Sequence, residues 1–275
     1  PIPRRQRQMC IRDSSITLAD GSNGGLAANY TISTGQTTTA NITAKSLTVS
    51  GITASNKIYD GGTTAATTLS FSGLIGSETL GQTVGSTFYN KNVGTGKTVT
   101  VNSITLADGN NGGLAANYSI SPGQTTTANV TTKALTVSGI TASNKTYDAT
   151  TSATLGTGSV NYGGLVSGDD FAGSYSGVFV NANVGSGKTV NITSSYSGSD
   201  VSNYSVTNQT STTADISAKA LTATASASNK VYDGSSTATT TLSLSGFIGS
   251  ETVTSTNSST FNNKNAGNGK TVTVN

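Results

Sequence analysis

Apolar residues recur at every second position along most of the chain. Leu47 and Val49, Leu69 and Phe71, Val99 and Val101, Ile104 and Leu106, Tyr118 and Ile120, and Ala128 and Val130 each alternate with Thr, Ser or Asn. A period of two places apolar side chains on one face of an extended backbone, so the pattern predicts half-buried β-strands. Between Val101 and Ile104 the phase slips by one residue, which predicts a bulge or strand break near Asn102. Turn chemistry punctuates the strands at Asp60-Gly61-Gly62, at Gly94-Thr95-Gly96 and from Asp108 to Gly113. No segment carries a helical period, and no apolar run approaches the roughly 20 residues that cross a bilayer.

The alternation is itself repeated, since Ser15–Lys57 and Ser103–Lys145 match almost residue for residue. Lys-x-Tyr-Asp recurs at Lys57, Tyr59 and Asp60 (followed by Gly61), at Lys145, Tyr147 and Asp148, and at Lys230, Tyr232 and Asp233 (followed by Gly234). A second marker, Asn-[Val/Ala]-Gly-x-Gly-Lys, carries Asn92, Gly94, Gly96 and Lys97, then Gly185, Gly187 and Lys188, and ends a third time at Lys270. Asn-Tyr recurs at Tyr30, at Asn117 and Tyr118, and at Asn203 and Tyr204. Opening each unit at Lys45, Lys133 and Lys219 divides the chain into the C-terminal part of a first repeat (15–44), complete repeats at 45–132 and 133–218, and a truncated repeat at 219–275. Residues 15–44 carry, in Ile16 and Leu18, Tyr30 and Ile32, and Ala40 and Ile42, the alternation of the segment that 219–275 lacks. Short strands with frequent turns predict an all-β fold, a small immunoglobulin-like β-sandwich in each unit and a tandem array forming an extended rod. A domain this small buries only about 60% of its unfolded surface, so contacts between neighbouring repeats are expected to add stability.

Composition sharpens this picture. Only 10% of residues are charged, His and Trp are absent, and the polarity comes from hydroxyls and amides. Every Arg lies near the start, at Arg4, Arg5, Arg7 and Arg12, together with the only Met and Cys, Met9 and Cys10. The run Met9 to Ser14 is what ATG TGT ATA AGA GAC AG plus one base encodes, which resembles a transposase adaptor used in sequencing libraries. Residues 1–14 are therefore read as a non-native, adaptor-derived segment. Beyond them basic and acidic side chains are equal in number, so the formal charge of +3 disappears and no case remains for nucleic acid or membrane insertion.

Together the repeated markers resemble the YDG-type repeats of large bacterial surface and secreted proteins, including haemagglutinin-like and two-partner-secreted adhesins. The resemblance rests on Lys57–Gly61 and Lys230–Gly234, on Phe88–Lys97 and Phe261–Lys270, on the Asn-Tyr strand and on the Thr-Ala-[Asn/Asp]-[Ile/Val] ending. It covers nearly all of Ser15–Asn275. The second complete repeat departs from it at Ala149, which reads as a turn position that does not require positive φ. The resemblance implies a non-catalytic structural or adhesive stalk, extracellular or on the bacterial outer-membrane surface, with neighbouring repeats as partners and no cofactor. The alternative is a module that binds carbohydrate or host matrix, for which Tyr162, Tyr175, Phe179 and Tyr196 form the candidate aromatic set. The absence of other Cys suits a chain exported unfolded through a pore.

Individual motifs add no chemistry to this reading. Gly94–Thr98 looks like the end of a phosphate-binding loop, but Lys91 stands where that loop needs Gly and a strand follows instead of a helix. Asp108-Gly109-Asn110 and Asp20–Asn23 offer oxygens to a cation without the closing acid of a calcium loop. Zinc ligands and a His base are missing, and Glu occurs only at Glu78 and Glu251. The adjacent pair Asp169 and Asp170, aligned with Ser77-Glu78 and Ser250-Glu251, reads as a solvated loop. Tyr59, Tyr147 and Tyr232 read as core or corner residues in preference to sugar platforms.

Overall fold

The computed structural model describes residues 16–33 and 35–275. The expected adaptor-derived segment at 1–14 lies outside the described residues. The fold is all-β with several sheets, and the helical elements among the described residues are single 3-10 turns at Ala27–Asn29, Ala115–Asn117 and Val201–Asn203. Each of these turns leads into the Tyr of an Asn-Tyr pair.

The two complete repeats share one sheet order. In 45–132 a five-stranded sheet runs Lys57–Ile58, Thr125–Thr131, Gly94–Asp108, Leu80–Phe88, Thr64–Ala65. In 133–218 the same order is Lys145–Thr146, Ser211–Ser217, Gly185–Ser197, Ala172–Phe179, Ser152–Ala153. The long central pairs are antiparallel hairpins, whereas the short Lys57–Ile58 and Lys145–Thr146 edges run parallel to their neighbours. A parallel neighbour cannot be reached by a tight turn, so most of a repeat lies between the two partners. A second parallel pairing aligns Lys133 with Tyr204 in a smaller three-stranded sheet, and Lys45 with Tyr118 in the preceding repeat. In 219–275, Thr222–Ala227 pairs with Thr240–Ser245 and Ser259–Phe261 with Val272–Val274.

The alternation sorts side chains as expected. Phe88, Val99, Val101, Ala128 and Val130 are buried, as are Phe179, Val190, Ile192, Ala214 and Ile216 at corresponding places. The phase slip is a bulge: Gly85 sits opposite Ser103 and Ser86 opposite Val101, leaving Asn102 as the extra residue. Its amide donates to Thr87 Oγ1 at 2.9 Å. One buried cluster joins Tyr59, Phe88, Val99 and Val130 of the first complete repeat to Leu135, Val137, Ile140 and Tyr204 of the second. A separate cluster, Phe179, Val190, Ala214 and Ile216, belongs to the second repeat alone. No strand forms among the described residues of 16–44, where Ile16, Leu18, Tyr30, Ile32 and Ile42 are exposed.

The turn at Ala149 corrects an expectation. Ala149 has φ of 62°, beside 79° at Gly61 and 77° at Gly234, so this position keeps positive φ even where Ala replaces Gly. The Asp148 carboxylate and Lys145 hold the turn closed and impose the left-handed conformation on a residue that resists it. Ala149→Gly is therefore expected to stabilise the protein by about 0.5–1 kcal/mol, because relief of left-handed strain exceeds the added chain entropy. A urea titration checks the sign; destabilisation would show that the turn carries no strain.

Candidate functional site at the inter-repeat junction

Two lysine clasps recur in 45–132, 133–218 and 219–275 and account for most of the repeated motif. Lys57 Nζ donates to Asp60 Oδ1 at 2.7 Å and to the carbonyls of Gly62 and Thr64, and sits 5.7 Å from the centre of the Phe88 ring. Lys145 and Lys230 repeat this with Asp148 and Asp233, over Phe179 and Phe261. Each Asp also accepts the backbone N–H two residues on, from Gly62, Thr150 or Ser235. The second clasp closes the Asn-x-Asn turn: Lys97 holds Asn90 and the Asn92 carbonyl, Lys188 holds Asn181, and Lys270 holds Asn263 and Asn265. Gly94 and Gly185 open the following strands, and Gly96 and Gly187 turn with φ of 58°. Their N–H groups donate to Asn129 and Asp215. Lys97 thus belongs to a hairpin that leads into a strand.

Tyr59 is different, because its partner lies in the next repeat. It is 1% exposed, and its hydroxyl donates to Asp169 Oδ2 at 2.8 Å. Tyr204, from the Asn-Tyr marker of that next repeat, donates to the same oxygen at 2.5 Å and meets the Tyr59 ring edge-on at 5.6 Å. Lys91 Nζ bridges Asp169 and Asp200, 2.8 Å from each. Asn203, fully buried, accepts from the Val93 N–H at 2.9 Å and donates to Asn92 Oδ1 at 3.3 Å. A Cβ at Gly61 would lie 2.8 Å from Val166 Cγ1, so the two repeats meet closely there and Gly leaves the needed space.

Asp170 is exposed, as expected, but Asp169 is not part of a solvated loop. The Asp169 side chain is 3% exposed, and the alignment of the loops is shifted by one residue from the expected one. Asp169 corresponds to Glu78 and Glu251: Tyr118 donates to Glu78 as Tyr204 does to Asp169, and Tyr147 donates to Glu251 at 2.5 Å as Tyr59 does to Asp169. In both complete repeats the backbone N–H at the loop start, Ile75 or Val166, donates to the Asn-Tyr hydroxyl. One carboxylate thus collects a Tyr from its own repeat and a Tyr from the repeat before. Asn117, whose repeat meets no earlier Lys-x-Tyr-Asp segment in this sequence, is exposed, and Tyr232 is 61% exposed.

Electrostatics follow the geometry. Burial pushes the Asp169 carboxyl up, but Lys91 and the hydroxyls of Tyr204 and Tyr59 outweigh it and hold it below the usual range. Lys91 holds Asp200 down in the same way, and the two carboxylates push Lys91 up. Burial and Asp169 raise the phenol of Tyr204 to about 12, so it stays a donor at neutral pH. In the exposed clasps, Lys145 and Lys230, with backbone N–H groups, lower Asp148 and Asp233 to about 2. Depressed carboxyl groups stabilise the folded form above the unfolded value near 4, and the contribution is lost as pH falls toward 2. Carboxyl 13C titration is expected to give midpoints of about 2 for both groups; ordinary values would show that the clasps are open in solution.

The aromatic set proposed for glycans is committed to packing. Phe179 is 1% exposed, Tyr175 donates to the Tyr162 hydroxyl at 3.0 Å, and Tyr196 packs on Phe171 and Tyr175. Asp20 and Asp108 accept the N–H groups of Ala27 and Ala115, and no cluster of metal-ligating side chains occurs among the described residues. Reading motifs one at a time missed Lys91, Asp169 and Asp200. The signal lay in comparing repeats, since both Glu residues of the chain and Asp169 share one position.

The family model described as YDG domain matches residues 43–128, 131–214 and 217–275. No curated protein and no solved structure matches the chain.

Proposed function

Since the chain belongs to the YDG domain family and carries that domain three times in tandem, we propose that it is a non-catalytic structural and adhesive stalk of a bacterial cell-surface or secreted protein. Each immunoglobulin-sized repeat is a segment of an extended rod, and the array holds an adhesive tip away from the surface. The observation that carries this reading is the Tyr59–Asp169–Tyr204 junction with Lys91, which spends the repeated motif on joining one repeat to the next. A haemagglutinin-like, two-partner-secreted parent is the setting that fits a repeat array almost without cysteine. Pulling single chains between residues 45 and 218 tests the reading. Stalk repeats are expected to give regular unfolding steps under load, and the chain is expected to leave a glycan array unbound. Saturable glycan binding lost on changing Tyr196, with unfolding at negligible force, would replace the stalk by a recognition module.

A further inference from the structure

The turn from Asp108 to Gly113 packs against the loop that carries Glu78. The Gly109 N–H donates to the Gly113 carbonyl at 2.9 Å, the Asn110 N–H donates to Thr79 Oγ1 at 2.8 Å, and the Thr79 N–H donates back to the Asn110 carbonyl at 3.2 Å. A Cβ at Gly109 or Gly113 would lie 2.0 Å from the Thr79 carbonyl oxygen, so the two loops meet backbone to backbone. One side chain completes the contact, as the Asn111 amide donates to the Ser77 carbonyl at 2.9 Å. Glu78, between Ser77 and Thr79, accepts from the Tyr118 hydroxyl.

Asn111 is at the same time chemically labile. It is exposed, holds a φ of 56°, and is followed by Gly112. Nothing lies within 4 Å of where a Gly112 Cβ would stand, and no backbone carbonyl accepts the Gly112 N–H. A carboxamide followed by Gly is the least hindered case for attack by the next backbone nitrogen, because no β-carbon shields that nitrogen. The corresponding turn of the next repeat makes the same backbone contact without an Asn-Gly pair. A Cβ at Gly198 would lie 2.2 Å from the Asp170 carbonyl oxygen, and the Ser199 N–H donates to Asp170 Oδ2 at 2.8 Å.

We propose that Asn111 and Gly112 form a self-modifying site, at which deamidation unlatches the Glu78 loop of the repeat at 45–132. With its proton lost to base, the Gly112 nitrogen attacks Asn111 Cγ, the new C–N bond closes a five-membered imide, and Nδ2 leaves as ammonia. Water then opens the ring at either carbonyl, giving aspartate or an isoaspartate whose main chain runs through the former side-chain carbon. One water enters and one ammonia leaves, so no further reactant is needed. Either product ends the donation to the Ser77 carbonyl and sets a carboxylate beside that oxygen, next to Glu78 and on the turn that already carries Asp108. Isoaspartate also lengthens, by one carbon, a turn whose glycines touch Thr79. The step runs one way, so the loss accumulates with the age of the chain, whereas 133–218 has no Asn-Gly pair and keeps its loop.

Ageing the full chain at mildly alkaline pH, beside a synthetic peptide of residues 106–116, tests this. Peptide mapping is expected to show a gain of about 1 Da at Asn111 of the full chain, with isoaspartate among the products. In urea unfolding, the aged chain and fresh Asn111→Asp are both expected to lose at least about fivefold in folding equilibrium constant, the loss of one well-placed hydrogen bond. Asn111→Gly keeps the positive φ and has no amide to lose, so its stability is expected to be the same fresh and aged. Asn111 left intact when the peptide is fully converted would overturn the proposal. So would a converted chain as stable as the fresh one, or an Asn111→Gly chain that loses stability with age as the native chain does.

Discussion

Replacing Asp169 with Ala is expected to destabilise the two complete repeats by about 3 kcal/mol. The carboxylate is 3% exposed and gathers Lys91, Tyr59 and Tyr204. Its loss strands two phenol hydroxyls in a dry junction, each without its acceptor. Removing one partner of a buried pair costs about 3–5 kcal/mol, and the lower end applies because Lys91 is 35% exposed and keeps Asp200. Urea unfolding of the variant measures this directly. A loss below about 1 kcal/mol, the level of an exposed ion pair, would mean that water reaches the junction. Acid should act in the same direction, since Asp169 and Asp200 are both depressed and their stabilisation fades as pH falls through the carboxylate range.

Phe88→Ala is expected to cost about 3–5 kcal/mol, the range for emptying a buried aromatic site. Phe88 is 2% exposed, lies beneath Lys57, and belongs to the cluster that continues into Leu135, Ile140 and Tyr204 of the next repeat. The cavity should therefore lower the unfolding midpoint of both repeats together, as read by probes placed in each. Phe179→Ala removes the same side chain from a cluster of the second repeat, with Leu155 packed on both clusters, and should lower the midpoint of the second repeat more than that of the first. Equal and separate losses from the two variants would mean that the repeats have independent cores.

Much of this was legible in the sequence because it depends on local pattern. Period-two alternation placed Val99, Val101, Ala128 and Val130 in the core, the slip before Ile104 located the bulge at Asn102, and the repeat openings at Lys45, Lys133 and Lys219 lie within two residues of the starts of the three matched domains. The role of Tyr59 was only half legible. Its burial follows from residue type, but its acceptor lies 110 residues away in the next unit, which no local pattern specifies. The same distance hid the pairing of Lys91 with Asp200: Lys91 is replaced by Ala182 in 133–218 and matched by Lys264 in 219–275, and Leu114 stands in the place of Asp200 in 45–132. At Ala149 residue identity does not report the backbone, because the Lys145–Asp148 clasp sets φ whichever residue stands there. Parallel pairing of Lys133 with Tyr204 was equally invisible, since strand direction depends on partners far apart in the chain.

The junction at Asp169 fixes the repeat at 45–132 against that at 133–218. Residual dipolar couplings of the weakly aligned full chain measure this most directly, with an alignment tensor fitted to each repeat separately. One shared tensor is expected in the native chain, splitting into two of different magnitude in Asp169→Ala. Two independent tensors in the native chain would contradict it, because the repeats would then be beads on a flexible string.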